Sequence, residues 1–267
     1  MLFRSNAKPF HAGLGAKNGI VAARMAAAGL TADPAVFEGA RGVLDLMAGA
    51  EAAGFDGVLQ RLAGPPAIVA PGVWLKRYPC CASTHRAVDG LLELRRQHKL
   101  TAADIARVDT LVSEPAVRNL MYMNPVNEMQ ARFSMSFCIA AACYDGDLRL
   151  PTFRSESIAR ADITAFLPRV TMTSDPEQPA DMPSTVKSWA TTTVTTNDRR
   201  SFTLKVVDCK GYPDNPLTEQ ELTAKFGDCA SGQPDVVIAS YADWRTVATA
   251  KNIRPLCGVL RKVVAQA

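Results

Sequence analysis

The sequence predicts an α+β protein in three stretches: helical, then mixed helix and antiparallel sheet, then helical again. Three observations predict this. Lys17 to Gly29 is rich in alanine and other helix formers. Trp189 to Thr196 and Ser201 to Asp208 are β-rich runs separated by Asn197-Asp198-Arg199-Arg200, the signature of a hairpin. From Thr218 onward helical patterns return. Together they suggest a compact unit inserted between two pieces of one helical domain.

The first helix is expected over Lys17 to Gly29, with alanines on one face and Gly29 as its stop. Asp33 and Pro34 read as N-cap and first position of a second helix over Pro34 to Phe37, restarting over Arg41 to Ala53. The turn-rich run Gly64-Pro65-Pro66 to Pro71-Gly72 marks a boundary, giving divisions at 1–72, 73–208 and 209–267. Beyond it, Thr84 to His98 has apolar residues at helical spacing. Thr101 to Asp104 reads as a turn into the alternating strand Ile105 to Val112. Glu128 to Tyr144 reads as one strongly apolar helix ending at Asp145-Gly146, Ser155 to Phe166 as a short amphipathic helix, and Val170 to Thr173 as a short strand. Thr218 with Glu221 forms a capping box ahead of a helix to Ala230. Val236 to Ala250 and Pro255 to Ala265 complete the helical end.

Composition narrows the function. A chain of 267 residues, 48% hydrophobic and 21% charged, has enough apolar material for a sizeable core. The net charge of +4 is mild and the basic residues form no run, so a nucleic-acid surface is not indicated. No apolar stretch reaches membrane-spanning length, and Met1 to Asn6 does not resemble a signal peptide. Seven scattered cysteines fit free thiols in a reducing cytoplasm better than a disulfide framework. There is no glycine-rich phosphate loop.

Three segments concentrate chemistry. Lys8-Pro9-Phe10-His11-Ala12-Gly13 places a lysine and a histidine just before the first helix, where a carboxylate can bind; the plainer reading is a solvated lysine and a capping histidine. Lys76 to His85 brings together two cations, a phenol, two thiols, two hydroxyls and one of three histidines. Cys81 and His85 have the residue types of a nucleophile and its base, against the plainer reading of buried apolar thiols and a helix capped by Ser83 or Thr84. A zinc site drawn from Cys80, Cys81, His85, Cys138 and Cys143 lacks paired ligand spacing. Asn124 to Met135 carries Glu128 and Arg132 four apart, which predicts a surface ion pair. His98 reads as the exposed end of a helix.

The segments taken in order resemble the MmgE/PrpD family. Lys8-Pro9-Phe10-His11-Ala12-Gly13 with its alanine-rich helix ending Ala28-Gly29-Leu30-Thr31 is similar to one landmark of that family. Leu75-Lys76-Arg77-Tyr78-Pro79-Cys80-Cys81 with Ser83-Thr84-His85 resembles a second, and Glu128 to Met135 a third. Gly211 to Thr218 with Lys225-Phe226 resembles a fourth. The order and spacing of all four are family-like.

The resemblance implies a partial all-helical domain interrupted by a smaller α+β lid domain with an antiparallel sheet. It implies a cofactor-independent lyase of 2-methylcitrate-dehydratase type acting on small di- and tricarboxylates, needing neither metal nor organic cofactor. The family also contains cis-aconitate decarboxylases and iminodisuccinate epimerases, so an isomerase is the alternative. Lys8 is implied to bind a carboxylate or transfer a proton, with His11, Lys76, Cys81 and His85 near the substrate. In the decarboxylases a histidine stands where Cys81 stands here. Family chains are nearly twice as long, and an aspartate and histidines of their acid/base machinery have no counterpart in this sequence. The resemblance therefore implies either a homodimer, a partner chain supplying the first half, or a catalytically inert fragment or subunit.

Overall fold

A computed structural model describes residues 7–48, 62, 64–179 and 187–264; within these, the side chains of residues 8, 48 and 260–264 lie outside the description. The chain divides into two compact units, Met1–Val73 and Trp74–Ala267.

In the first unit, α1 spans Ala7–Ala27. It begins ten residues earlier than the composition predicts, so Lys8 to His11 lie in its first turns and not on a preceding loop. The reason is local: the first N–H groups of a helix have no intrahelical acceptor, so Pro9 loses nothing there. Gly29, at φ +96°, ends the helix in the left-handed region as expected. Phe10, Ile20 and Leu30 are exposed. Asp33 Oδ1 accepts from the N–H of Ala35 at 2.9 Å, but this closes a turn and not the expected helix over Pro34 to Phe37. A short α2 follows at Val43–Ala48, and the predicted continuation to Ala53 lies outside the described residues.

The second unit holds the sheet. Its first helix, α3 (Ala82–His98), leads through a 3-10 turn into β1 (Ile105–Val112) and then α4 (Glu114–Asn119). The predicted apolar helix divides into α5 (Glu128–Ala131) and α6 (Met135–Asp145). Asn127 and Ser134 each accept a hydrogen bond from a backbone N–H three residues on, so each starts a helix of its own. Residues 155–166 likewise divide, into α7 (Ser155–Ile158) and α8 (Ala161–Phe166). Then come β2 (Val170–Ser174), β3 (Ala190–Thr196) and β4 (Ser201–Val206). The end is helical: α9 (Glu219–Cys229) with the Thr218–Glu221 capping box, α10 (Asp235–Ala239), α11 (Tyr241–Arg245) and α12 (Arg254–Val264).

The strand order is β2-β1-β3-β4. The β1–β3 and β3–β4 pairs are antiparallel, as expected, but β2 joins β1 in parallel, so the sheet is mixed. The helical connection from α4 to α8 is long enough to carry the chain back to the starting edge, which a parallel pair requires. Val170, Val108, Val194 and Phe202 stand in register across the four strands. Against this sheet pack α3 and α6. Gly90 of α3 permits close contact, since a Cβ there would lie 3.0 Å from Thr192 Oγ1. Leu91, Ile105, Phe137, Ile139 and Phe153 are fully buried in this core. Each contributes about 1.5–3 kcal/mol relative to exposure.

Candidate functional site

The segment from Trp74 to Asp89 is held by three neighbours from distant parts of the second unit. The Trp74 ring stacks on Tyr212 with centroids 4.5 Å apart. The N–H of Leu75 donates to Gly211 O at 2.8 Å. Arg132 grips the turn twice: its Nη1 donates to Pro79 O at 2.7 Å, and its own carbonyl accepts from the N–H of Cys81 at 2.9 Å. Its guanidinium also lies 4.9 Å from the Phe153 ring centroid. The expected Glu128–Arg132 ion pair is therefore absent among the described residues. The helical spacing is kept, since the N–H of Arg132 donates to Glu128 O at 3.1 Å, but the guanidinium is committed to Pro79 O instead.

Within the turn, Lys76 Nζ donates to Cys80 O at 3.1 Å, which fixes the ammonium beside the start of α3. Cys81 occupies the N-cap of α3 and is partly exposed, so neither Ser83 nor Thr84 holds that position. Thr84 Oγ1 instead donates to Cys81 O at 2.9 Å and lies 3.1 Å from Cys80 Sγ. His85 is 1% exposed and packs edge-on against Tyr78, with ring centroids 5.1 Å apart. Its Nε2 is buried with no hydrogen-bond partner. Tyr78 OH donates to Asp89 Oδ1 at 2.6 Å, and Asp89 Oδ2 accepts from the N–H of Lys210 at 2.7 Å.

This geometry separates the two adjacent cysteines. The Cys80 thiol is buried beside Thr84 Oγ1 and His85, whereas Thr84 meets only the backbone carbonyl of Cys81. Burial opposes ionisation of Cys80, but the neighbouring Cys138, His85 and Thr84 groups outweigh it and hold the thiol well below its ordinary range. Cys138 moves the other way, raised by burial and by the adjacent Cys80. Burial, reinforced by the Asp89 charge, raises the Tyr78 phenol, so it serves as a hydrogen-bond donor at neutral pH. All seven cysteines are free.

Beside this turn is a recess of about 150 Å³ lined by Ser83, Arg86, Ser113, Ser188, Trp189 and Tyr212, among others. A wider groove of about 740 Å³ runs between α3 and β4, and its charges are already matched, as in the pairs Glu93–Arg96 and Lys210–Glu221.

The sequence-derived residues are thus placed as follows. Lys76, Cys81 and His85 belong to one continuous structure, with Lys76 and Cys81 at its surface and His85 beneath. His11 is exposed on α1, in the first unit, and packs edge-on against Phe10. Lys8 is in the first turn of α1, and its side chain lies outside the described residues. Sequence reasoning missed the Tyr78–Asp89 hydrogen bond and the buried Cys80 thiol beside Thr84. Only the crowding of polar residue types between 76 and 89 hinted at them. Among the described residues, no group of three or more His, Cys, Asp or Glu side chains is placed to hold a metal ion. No described helix is long and apolar enough to cross a membrane.

Comparison with known proteins agrees with the landmarks. Residues 78–237 match the MmgE/PrpD C-terminal domain. The chain is 29% identical to human cis-aconitate decarboxylase over 95% of its length, covering 52% of that protein. It is 26% identical to the mouse cis-aconitate decarboxylase over 84% of its length, covering 46% of that protein. The chain thus spans about half the length of these curated relatives. With the family domain extending from Tyr78 through the whole sheet to Val237, the chain belongs to the MmgE/PrpD family.

Proposed function

We propose that this chain provides the carboxylate-holding part of a cofactor-independent lyase acting on small di- or tricarboxylates. The observation that carries the reading is the placement of Lys76 Nζ on Cys80 O, beside the partly exposed Cys81 at the start of α3, within a family whose two matched relatives are named as decarboxylases of cis-aconitate. Removing a proton or a carboxylate next to a carboxylate builds negative charge, and a fixed ammonium stabilises it. In this reading Lys8 supplies a second cation or transfers the proton, and His11 assists in binding. Cys81 contacts the substrate, while His85 supports the turn from below. The reaction is dehydration of the 2-methylcitrate type or decarboxylation of the cis-aconitate type; the cysteine at position 81 favours the former, the two relatives the latter. Epimerisation of a dicarboxylate uses the same proton abstraction.

A second reading is that the chain works as a subunit, as a homodimer or with a partner supplying more of the helical domain. The exposed apolar side chains of α1, including Phe10, Ile20, Val21 and Met25, favour it, because a helix exposing several large apolar side chains is normally covered. The test is to incubate the chain with 2-methylcitrate, cis-aconitate and iminodisuccinate and follow each by proton NMR. A parallel set of reactions adds the N-terminal half of a relative. Consumption of one substrate by either preparation supports the lyase or isomerase reading, and inertness of both toward all three removes it.

A further inference from the structure

The recess beside α3 has features that its neighbours' packing leaves unexplained. Arg86 and Ser83 lie three apart on α3, and both line it. Arg86 is anchored on one side only: Nε donates to Val207 O at 2.7 Å, and the guanidinium lies 5.0 Å from the Tyr212 ring centroid. Its two Nη groups make no hydrogen bond or ion pair among the described residues. Arg77, Arg96, Arg107, Arg149 and Arg160 each meet a carboxylate; Arg86 does not. No aspartate or glutamate lines the recess, so its fixed charge is of one sign.

A second observation is independent of the arginine. Ser113, 7% exposed, lines the same recess from the N-cap of α4, yet its hydroxyl does not cap that helix and makes no hydrogen bond among the described residues. Its oxygen is open to solvent on the recess side. A guanidinium edge and a hydroxyl, both without a protein partner in one recess, are complementary to a planar anion. The volume equals about five waters at roughly 30 Å³ each, room for a carboxylate and the carbon bearing it.

The geometry points to an anion subsite that takes one carboxylate of a small di- or tricarboxylate, with the Nη edge of Arg86 and the hydroxyl of Ser113 as donors. Arginine is suited to the task because its fork is planar and already oriented by Val207 and Tyr212, so little freedom is lost on binding. The choice of carboxylate rests on the lyase reading above; the anion site itself does not.

The test titrates citrate, succinate, acetate and inorganic phosphate into the full chain at one ionic strength by calorimetry. Citrate binding should weaken at least tenfold in Arg86→Gln and severalfold in Ser113→Ala, with Arg86→Lys intermediate, in variants whose melting confirms folding. In the wild-type chain, citrate should also protect Arg86 from phenylglyoxal, read by mass spectrometry. Unchanged citrate affinity in both variants, or no protection of Arg86, overturns the subsite. Phosphate bound more tightly than citrate overturns the carboxylate assignment. A Lys76→Gln variant separates the two proposals: affinity lost there but kept in Arg86→Gln leaves the lyase reading and sinks the subsite, and the reverse pattern does the opposite. No citrate binding by the wild-type chain overturns the subsite, while the lyase reading stands or falls on substrate consumption.

Discussion

The N–H of Leu75 donates to Gly211 O at 2.8 Å, and the two backbones are so close that a Cβ on Gly211 would lie 2.0 Å from Leu75 O. Gly211 also sits at φ +94°, where side chains are disfavoured. Two landmarks more than a hundred residues apart are thus joined by a contact that only glycine permits. Gly211→Ala should destabilise the second unit by on the order of 3 kcal/mol, from backbone strain and the forced separation of the strands of chain. Urea unfolding followed by Trp fluorescence measures it. A loss under about 0.5 kcal/mol would show that the contact is not needed.

Arg132 holds Pro79 O with its side chain and the N–H of Cys81 with its carbonyl. Arg132→Met keeps the apolar contact with Phe153 but leaves the Pro79 carbonyl without its donor, for a loss of about 1–3 kcal/mol. The turn should also loosen, so iodoacetamide should alkylate Cys81 faster than in the wild-type chain. An unchanged alkylation rate in a folded variant would mean that Arg132 does not position the turn.

Asp175 gives a pH prediction. Its carboxylate is 5% exposed, and burial raises its pKa, but donation from the N–H of Glu177 and from Trp189 Nε1 prevails and lowers it overall. A folded-state pKa below the unfolded one stabilises the fold fully above the unfolded value of about 3.9, and that contribution is lost as pH falls through the folded value. The wild-type chain should therefore lose stability on acidification below about pH 4, and Asp175→Asn should lose less over that interval. Acid titration of the Trp189 signal in both proteins decides this; identical slopes would rule the carboxylate out.

Burial should also sort the thiols. Burial in α6 pushes Cys143 up to about 12, whereas Cys229 is exposed. At pH 8, alkylation mapped by mass spectrometry should modify Cys229 readily and Cys143 only after denaturation. Equal labelling of the two in the folded chain would contradict the packing of α6.

Much of this was legible in the sequence. Alternation located β1, two β-rich runs about a short turn located β3 and β4, and Thr218 with Glu221 marked the start of α9 to the residue. What the sequence hid was set by competing local bonds or by distant partners. Ser134 interrupts an apolar run that reads as one helix, and the parallel pairing of β2 depends on a crossover whose path no local pattern encodes. The site was legible as a cluster of residue types. Its division into a surface pair, Lys76 and Cys81, and a buried set, Tyr78, Cys80 and His85, was not. That division depends on which side of the turn faces α6, and Arg132 determines it from fifty residues away.

The central claim is that Lys76 holds substrate charge in a lyase of small carboxylates. The most direct measurement is the rate of cis-aconitate and 2-methylcitrate loss by proton NMR, for the wild-type chain and Lys76→Ala side by side, each with and without the N-terminal half of a relative. Wild type should consume one of the two substrates, and Lys76→Ala should be slower by on the order of a hundredfold or more. Equal rates in the two proteins, or no consumption by the wild-type chain in either mixture, would contradict the account.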